Sequence, residues 1–106
     1  MTPLISVTMQ PWNMALAVAL AGELDLETVR RIEPALMDLA ADGDRDLILD
    51  LGRLTFCDSS GAALFIRLHW RCAGVGTRLR LRRVPRLPAR VLRTLGVDRV
   101  VPFSSP

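Results

Sequence analysis

The stretch LILDLGRLTFCDSSGAALF, residues 47–65, joins two hydrophobic patterns through a short polar loop. The first pattern belongs to RDLILDLGRL, residues 45–54, a nearly continuous apolar run that is typical of a central, buried strand. The second is helical and extends over residues 60–73, where Gly74 and Gly76 end it. A buried strand that leads directly into a helix predicts parallel strands with right-handed helical crossovers, as in an α/β domain.

The first 22 residues predict an antiparallel hairpin. LISVTM, residues 4–9, alternates as an edge strand does, and PWN at 11–13 has the composition of a turn. MALAVALAG at 14–22 alternates strictly, which indicates a second strand with one bulky and one thin face. The bulky face would carry Met14, Leu16, Val18 and Leu20, and the thin face Ala15, Ala17, Ala19 and Ala21.

Residues 22–44, GELDLETVRRIEPALMDLAADGD, carry a helical stripe that a proline interrupts. Pro34 removes a hydrogen bond and clashes with the preceding turn. We therefore expect a short first turn and a main helix that restarts near Glu33, with Pro34 at its first position. The stripe consists of Leu26, Val29, Ile32, Leu36, Leu39 and Ala40.

The C-terminal part predicts strand, helix and strand. TRLRLRRV at 77–84 alternates, PRLPARVLRTLG at 85–96 is amphipathic, and VDRVVPF at 97–103 favours a last short strand. Residues 1–106 are thus predicted to form one α/β domain with a mixed β-sheet, in the order ββαβαβαβ, with helices mainly on one face. In the alternating strand, Leu79 and Leu81 would face in, and Arg78, Arg80 and Arg82 would face out.

Composition restricts the class of protein. The chain has 106 residues, enough for one hydrophobic core, and half of them are hydrophobic, which excludes a disordered chain. No apolar run approaches the ~20 residues of a membrane span, and no segment has the pattern of a signal peptide. We expect a soluble cytoplasmic domain that does not act at a membrane.

Charge is distributed unevenly along the chain. Residues 1–58 hold ten acids and four arginines, a net charge of −6, whereas residues 59–106 hold one acid and ten arginines, a net charge of +9. A basic half can bind nucleic acid or meet an acidic protein. Few aromatic residues accompany the arginines and no nucleic-acid-binding motif is present, so we expect no direct contact with nucleic acid.

Two cysteines and one histidine are too few for a structural zinc site, which takes four such ligands. Cys57 and Cys72 lie in apolar context, and we expect buried free thiols. His69 follows the loop serines by about two and a half turns of the predicted helix. It is expected to be a packing or surface residue, because a serine nucleophile needs a base within hydrogen-bond reach. A serine hydrolase, whose G-x-S-x-G motif is also absent, is therefore not favoured.

The polar loop itself has a structural and a chemical interpretation. Ser59 or Ser60 can cap the following helix, Asp58 places negative charge at the positive end of the helix dipole, and Gly61 permits another backbone to approach. One capping hydroxyl is sufficient, and the second remains unexplained. A serine in the first turn is accessible and could carry a phosphate, which adds up to two negative charges without unfolding the domain.

The motifs GELD, LILDLGRLTFCDSSGAALF and LGVDRVVPF together resemble the STAS domain, and in particular the bacterial anti-sigma factor antagonists. The resemblance covers residues 4–103. It implies that an anti-sigma factor, itself a serine kinase, phosphorylates the second serine of the tetrapeptide, here Ser60, with Ser59 as the alternative. The unphosphorylated form would bind the anti-sigma factor and free the sigma factor, and a PP2C-type phosphatase would reset the switch.

The same resemblance assigns further roles. It implies that Asp25 of GELD lies near the phosphorylated loop, and that the partner-binding loop comprises Asp25, Asp58, Ser59, Gly61 and Ala62. No bound cofactor is expected, since ATP and Mg²⁺ belong to the kinase, and the domain is not expected to be an enzyme. Family members usually end in another helix, which has no counterpart before the final FSSP. Its loss would expose apolar surface and favour a homodimer.

Two points stay open. Some STAS proteins are non-phosphorylated subunits of transporters or signalling assemblies, and some bind lipid-transport ATPases, which is the alternative function. The tryptophans are the second point: Trp12 lies in the predicted turn and could fold over the sheet edge. Trp70 shares a helix face with Arg67 and Arg71, which could be an interface or a partial cover of the core.

Overall fold

Strands and helices alternate along the chain in the computed structural model, which describes residues 5–104. This part of the chain forms four strands and three helices, followed by a 3-10 turn at Val97–Arg99. In order they are β1 (Ile5–Trp12), β2 (Ala15–Leu24), α1 (Leu26–Ala41), β3 (Asp46–Cys57), α2 (Ser59–Gly74), β4 (Leu79–Arg82) and α3 (Arg86–Thr94).

The four strands form one mixed sheet in the order β1-β2-β3-β4. β1 and β2 are antiparallel, whereas β2, β3 and β4 are parallel. The buried core contains one set of strand side chains together with the inner faces of all three helices. On β3, Leu47, Leu49 and Leu51 belong to this core, but Ile48 and Asp50 between them do not. Helices therefore cover one face of the sheet, and the predicted fold class is confirmed.

The hairpin is present, but its turn lies two residues later than predicted. Asn13 and Met14 form the turn with φ values of 47° and 65°, as a two-residue type I′ turn requires. Pro11 and Trp12 belong to β1, where a proline is tolerated because this strand is at the sheet edge. Met14 is therefore a turn residue, 92% exposed, and not part of the bulky face of β2. Residue 4, the predicted first strand residue, lies outside the described residues.

The predicted break in the first helix is wrong. α1 runs without interruption from Leu26 to Ala41, with Pro34 inside it. Pro34 is on the exposed side of the helix. The carbonyl that loses its N–H partner there can be solvated by water, so the cost of the proline is lower than in a buried helix.

The C-terminal prediction is partly wrong. β4 is shorter than predicted, and Leu79 and Leu81 are buried as expected. In place of a last strand, residues 97–99 form a 3-10 turn that buries Val97 and Val101, a spacing that suits a helical turn. Only the residues around Phe103 reach β4, through a single parallel bridge to Leu81. The expected absence of a further helix stays a prediction, since residues 105 and 106 lie outside the described part.

Candidate functional site

Two parallel strands end side by side, and each passes directly into a helix. Leu24 of β2 pairs with Cys57 of β3, and the N–H of Asp58 donates to the carbonyl oxygen of Leu24 at 3.1 Å. Asp25 directly follows β2 and Asp58 directly follows β3, and each is the N-cap of the helix that comes next. The strand register thus brings two acidic helix caps to one edge of the sheet, where sites of parallel α/β proteins form.

Asp58 is the cap of α2, and the prediction that one of the serines caps this helix is wrong. The Asp58 Oδ1 atom accepts a hydrogen bond of 2.8 Å from the N–H of Ser60. Asp58 has extended backbone angles, as a cap residue does, and its carboxylate also suits the positive end of the helix dipole. Ser59 and Ser60 are consequently the first two residues of the helix.

The two serine hydroxyls are left uncommitted. Ser59 is exposed and Ser60 is half-buried. Within residues 5–104, the only side-chain hydrogen bond that involves either serine uses the backbone N–H of Ser60. A group attached to either hydroxyl would therefore break no internal hydrogen bond of the described structure.

Gly61 and Ala62 face the interior and support the loop from beneath. A Cβ atom at Gly61 would lie 2.6 Å from the Cys57 sulfur and 3.2 Å from the Leu24 Cβ, so only glycine fits. The expected close approach exists, but it involves side chains and not another backbone. Ala62 is 3% exposed. Both residues are buried beneath the serines, and their predicted part in partner binding stays a prediction.

Asp25 caps the N-terminus of α1 and forms a complete capping box with Thr28. Its Oδ1 accepts from the N–H of Thr28 at 3.0 Å, while the Thr28 hydroxyl accepts from the N–H of Asp25 at 3.0 Å and donates to the Glu23 carbonyl at 2.7 Å. The backbone N–H of Thr28 is the largest influence on the pKa of Asp25 and holds it below its ordinary value. Desolvation is the next largest and opposes it, and the Thr28 hydroxyl adds a smaller lowering.

Two grooves flank the serines. The α1–α2 groove is a cavity of about 380 Å³ between the first two helices, and both serines line it with Arg30, Glu33 and Arg67. The α3 groove is a larger, mostly apolar cavity of about 660 Å³. Ser59 lines it as well, together with Phe56, Leu87, Arg90, Val91 and Leu95. Ser59 therefore forms the ridge between a charged groove and an apolar one, and Ser60 lies beside it in the charged groove.

Sequence reasoning missed an ion pair at the charged groove. The Nε and Nη2 atoms of Arg67 donate to the two carboxylate oxygens of Glu33 at 2.7 and 2.8 Å, and this ion pair links α2 to α1. This pairing lowers the pKa of Glu33 and raises that of Arg67. The helical spacing of Ser60, Ala63 and Arg67 was the available signal that Arg67 shares a face with the serine.

The other candidate groups of this region do not form a reactive centre. Both cysteines are free and buried, as predicted. Burial, and secondarily the charge of Asp58, raise the pKa of Cys57 to about 12. His69 is half-buried and its ring lies edge-on to that of the exposed Trp70, with centroids 4.8 Å apart, which agrees with the predicted packing or surface position. Among residues 5–104 no group of three His, Cys, Asp or Glu could hold a metal ion.

Two arginines of the basic half form ion pairs on the face of the sheet that no helix covers. Asp50, 8% exposed, accepts from Arg82 at 2.8 Å, from Arg83 at 3.0 Å and from the N–H of Gly52 at 3.0 Å. The Arg82 guanidinium also lies 4.2 Å from the ring centre of Trp12, which crosses the thin alanine face of β2. Arg82 was predicted to face outward from the sheet. It lies on the face without helices, but Trp12 and Asp50 leave it half-buried.

Comparison with known proteins decides the family. The family model described as "Mlab, STAS domain" matches residues 11–102, most of the chain. The chain belongs to the STAS domain family.

This STAS domain has a curated relative in Staphylococcus aureus, an anti-sigma-B factor antagonist, with 39% identity over 49 residues. The match covers 46% of this chain and 45% of the relative, so it spans less than half of the relative's length.

Solved structures share the fold. An anti-sigma factor antagonist from Mycobacterium paratuberculosis has a TM-score of 0.85 at 22% identity, over 96% of this chain and 86% of that one. SpoIIAA has been solved as an unphosphorylated anti-sigma factor antagonist, with a TM-score of 0.78 at 22% identity, over 94% and 89% of the two chains. Its phosphorylated form from Bacillus has a TM-score of 0.70. At these identities the likeness shows the fold.

The STAS domain brings most of the predicted site residues to one edge of its sheet. Asp25, Asp58, Ser59 and Ser60 lie at the two strand–helix junctions, whereas Gly61 and Ala62 lie beneath them. Trp70 is 63% exposed, so it does not cover the core. No helix in the described part of the chain is both long and apolar enough to cross a membrane.

Proposed function

We propose that this STAS domain is an anti-sigma factor antagonist that is switched by phosphorylation of Ser60. The unphosphorylated domain binds an anti-sigma factor that is also a serine kinase, and the sigma factor is released. The observation that carries the proposal is the uncommitted hydroxyl of Ser60 in the first turn of α2, where it lines the α1–α2 groove. The Staphylococcus relative and the structural neighbours, which are anti-sigma factor antagonists, support it.

The charges around Ser60 explain how a phosphate acts without unfolding the domain. A phosphoserine carries up to two negative charges. It stands beside the carboxylate of Asp58, whose cap bond goes to the N–H of Ser60, and close to the junction that holds Asp25. An acidic surface that docks on the neutral serine ridge is repelled once the phosphate is present.

The α3 groove is the apolar part of the proposed docking surface. Phe56, Leu87 and Leu95 are large, exposed apolar side chains, and all three line this groove next to Ser59. Exposed apolar side chains gathered around a cavity are typical of protein interaction sites. Arg90 in the same groove adds a positive charge for an acidic partner.

The remaining components belong to the partners. The kinase supplies ATP and Mg²⁺, a PP2C-type phosphatase removes the phosphate, and the domain itself is a cytoplasmic binding protein and not an enzyme. Asp25 and Asp58 are proposed to repel the phosphate, so Asp25→Asn should change the rate at which a PP2C-type phosphatase removes it.

A second candidate function is that of a non-phosphorylated STAS subunit in a transporter or signalling assembly. The observation that favours it is the family description, which names Mlab and not an antagonist. Co-purification with membrane ATPase subunits, from cells in which Ser60 carries no phosphate, would support this second function over the first.

Intact mass spectrometry tests the proposal. The domain is incubated with ATP, Mg²⁺ and the serine-kinase anti-sigma factor of the same genome, as wild type, Ser60→Ala and the matched control Ser59→Ala. We expect one added phosphate on wild type and on Ser59→Ala, and none on Ser60→Ala. A phosphate that remains on Ser60→Ala and disappears from Ser59→Ala moves the switch to Ser59. No phosphate on any of the three, with a stable complex, favours the second function.

A further inference from the structure

The α1–α2 groove places two arginines beside the hydroxyl that we propose to be phosphorylated. Ser60, Arg30 and Arg67 line this single cavity of about 380 Å³. Arg30 is contributed by α1, whereas Ser60 and Arg67 are contributed by α2. Ser60 is not among the residues that line the apolar α3 groove. A group attached to the Ser60 hydroxyl therefore enters the charged groove first.

Helix geometry directs Arg67 toward Ser60. Ser60, Ala63 and Arg67 are separated by three and four residues, so they form one stripe along α2. Helical side chains lean toward the N-terminus of their helix, which is the end where Ser60 lies. The small side chain of Ala63, which also lines the groove, leaves the space between the two residues open.

Arg67 has a partner that it can exchange. Both carboxylate oxygens of Glu33 accept from it, but the side chain of Arg67 is 45% exposed and that of Glu33 24%. Solvent screens an ion pair with this exposure, so a stronger acceptor can replace Glu33. A phosphate dianion carries more charge than a carboxylate and offers three acceptor oxygens, and guanidinium groups bind it in a bidentate manner.

We propose that Arg30 and Arg67 form a phosphoserine-binding pair, and that phosphorylated Ser60 takes Arg67 from Glu33. The proposal rests on the proposed phosphorylation of Ser60. It adds that the phosphate is held against the domain's own α1–α2 groove, between the acidic caps Asp25 and Asp58 and this arginine pair. Glu33 then loses its partner.

Phosphorylation would therefore change the surface at two places. The phosphate covers the charges of the arginine pair, and the Glu33 carboxylate on α1 is no longer neutralised by Arg67. The charged groups around Ser60 are Asp25, Arg30 and Glu33 from α1 and its cap, and Asp58 and Arg67 from α2 and its cap. Arg90 of α3 reaches only the groove on the other side, which Ser59 lines.

The test installs phosphoserine at position 60 by genetic encoding, so no kinase is needed. The second pKa of the phosphate is followed by phosphorus NMR in the otherwise unchanged domain, in Arg67→Gln and in Arg30→Gln. Arg71→Gln is the matched control, because Arg71 is an exposed arginine on the same helix that does not line the groove. A nearby cation favours the dianion, so each groove substitution should raise the phosphate pKa by about 0.5–1 unit, and the control should leave it unchanged.

The Arg67 Nε–H resonance supplies a second measurement. We expect it to shift on phosphorylation, and Glu33→Gln should produce no further shift once the phosphate is present. Equal phosphate pKa values in the unchanged domain, Arg67→Gln and Arg30→Gln, with an unshifted Nε–H resonance, would overturn the phosphoserine-binding pair. That result would leave the proposed function standing, because kinase labelling of Ser60 and partner binding are measured independently.

Discussion

The two strand–helix junctions are built alike, and they differ in where the hydroxyl is. At both, a strand ends in the same register, an aspartate caps the helix, and a helix of 16 residues follows. At the first junction the hydroxyl belongs to Thr28, the third helical residue, and it is buried and bonded to backbone groups. At the second, the third position is Gly61, and hydroxyls occupy the first two positions without a partner.

This difference separates a structural junction from a chemical one. A hydroxyl that completes a capping box stabilises the helix and is unavailable for modification. A hydroxyl at either of the first two helical positions is left accessible, and the glycine at the third position allows the helix to pack against Cys57 and Leu24. The aspartate cap fixes the helix start in both cases, so the second junction can expose a serine hydroxyl without losing its geometry.

The largest expected effect comes from forcing the second junction to resemble the first. Gly61→Thr would place the same residue type at the third helical position of α2. Its Cβ would meet the Cys57 sulfur at 2.6 Å, so we expect a loss of about 2–3 kcal/mol in the free energy of unfolding, measured with urea. Gly74→Ala is the control, since a Cβ there meets nothing within 4 Å, and its stability should remain within about 0.5 kcal/mol of wild type. A fully stable Gly61→Thr would contradict the steric explanation.

A smaller effect compares the hydroxyls directly. Thr28→Val keeps the shape of the side chain but leaves the N–H of Asp25 and the carbonyl of Glu23 without a partner, which should cost about 1–2 kcal/mol. Ser60→Ala removes a hydroxyl that has no such bond, so its free energy of unfolding should lie within about 0.5 kcal/mol of wild type. Equal losses for the two variants in the same urea experiment would show that the Ser60 hydroxyl is engaged.

The smallest effect concerns the charge of the first cap. The pKa of Asp25 is lowered in the folded state, so its carboxylate contributes stability that is present above pH 3.8 and is lost as the pH falls through the folded value. Carbon NMR of the Asp25 carboxyl should give a midpoint below 3.8 in wild type. In Thr28→Val the midpoint should stay below 3.8, because the backbone N–H of residue 28, the largest cause of the lowered pKa, still donates to the carboxylate. A wild-type midpoint at or above 3.8 would refute this account of the cap.

Local patterns of sequence were sufficient for the fold and for the position of the serines. The apolar run that forms β3, the alternation of Leu79 and Leu81, and the start of α2 within one residue were all predictable, since each depends on neighbours in sequence. The resemblance carried by the Asp-Ser-Ser-Gly loop supplied the family. These are the features in which local propensity and the packed structure agree.

Several features were missed because distant residues decide them. Pro34 is tolerated because its side of α1 is exposed, which depends on how the helix packs. Asp50 looked like one polar residue in an apolar run, and its partners Arg82 and Arg83 are 32 and 33 residues away. Glu33 and Arg67 are 34 residues apart and meet only because α1 and α2 are neighbours. The charged half of the site therefore required the structure.

The most direct test of the switch is the affinity of the anti-sigma factor for the domain with serine, and with genetically encoded phosphoserine, at position 60. Isothermal titration calorimetry with the serine-kinase anti-sigma factor of the same genome measures both affinities under one set of conditions. The account predicts that phosphoserine weakens binding at least about ten-fold, which corresponds to about 1.4 kcal/mol. Equal affinity of the two forms would contradict Ser60 as the switch.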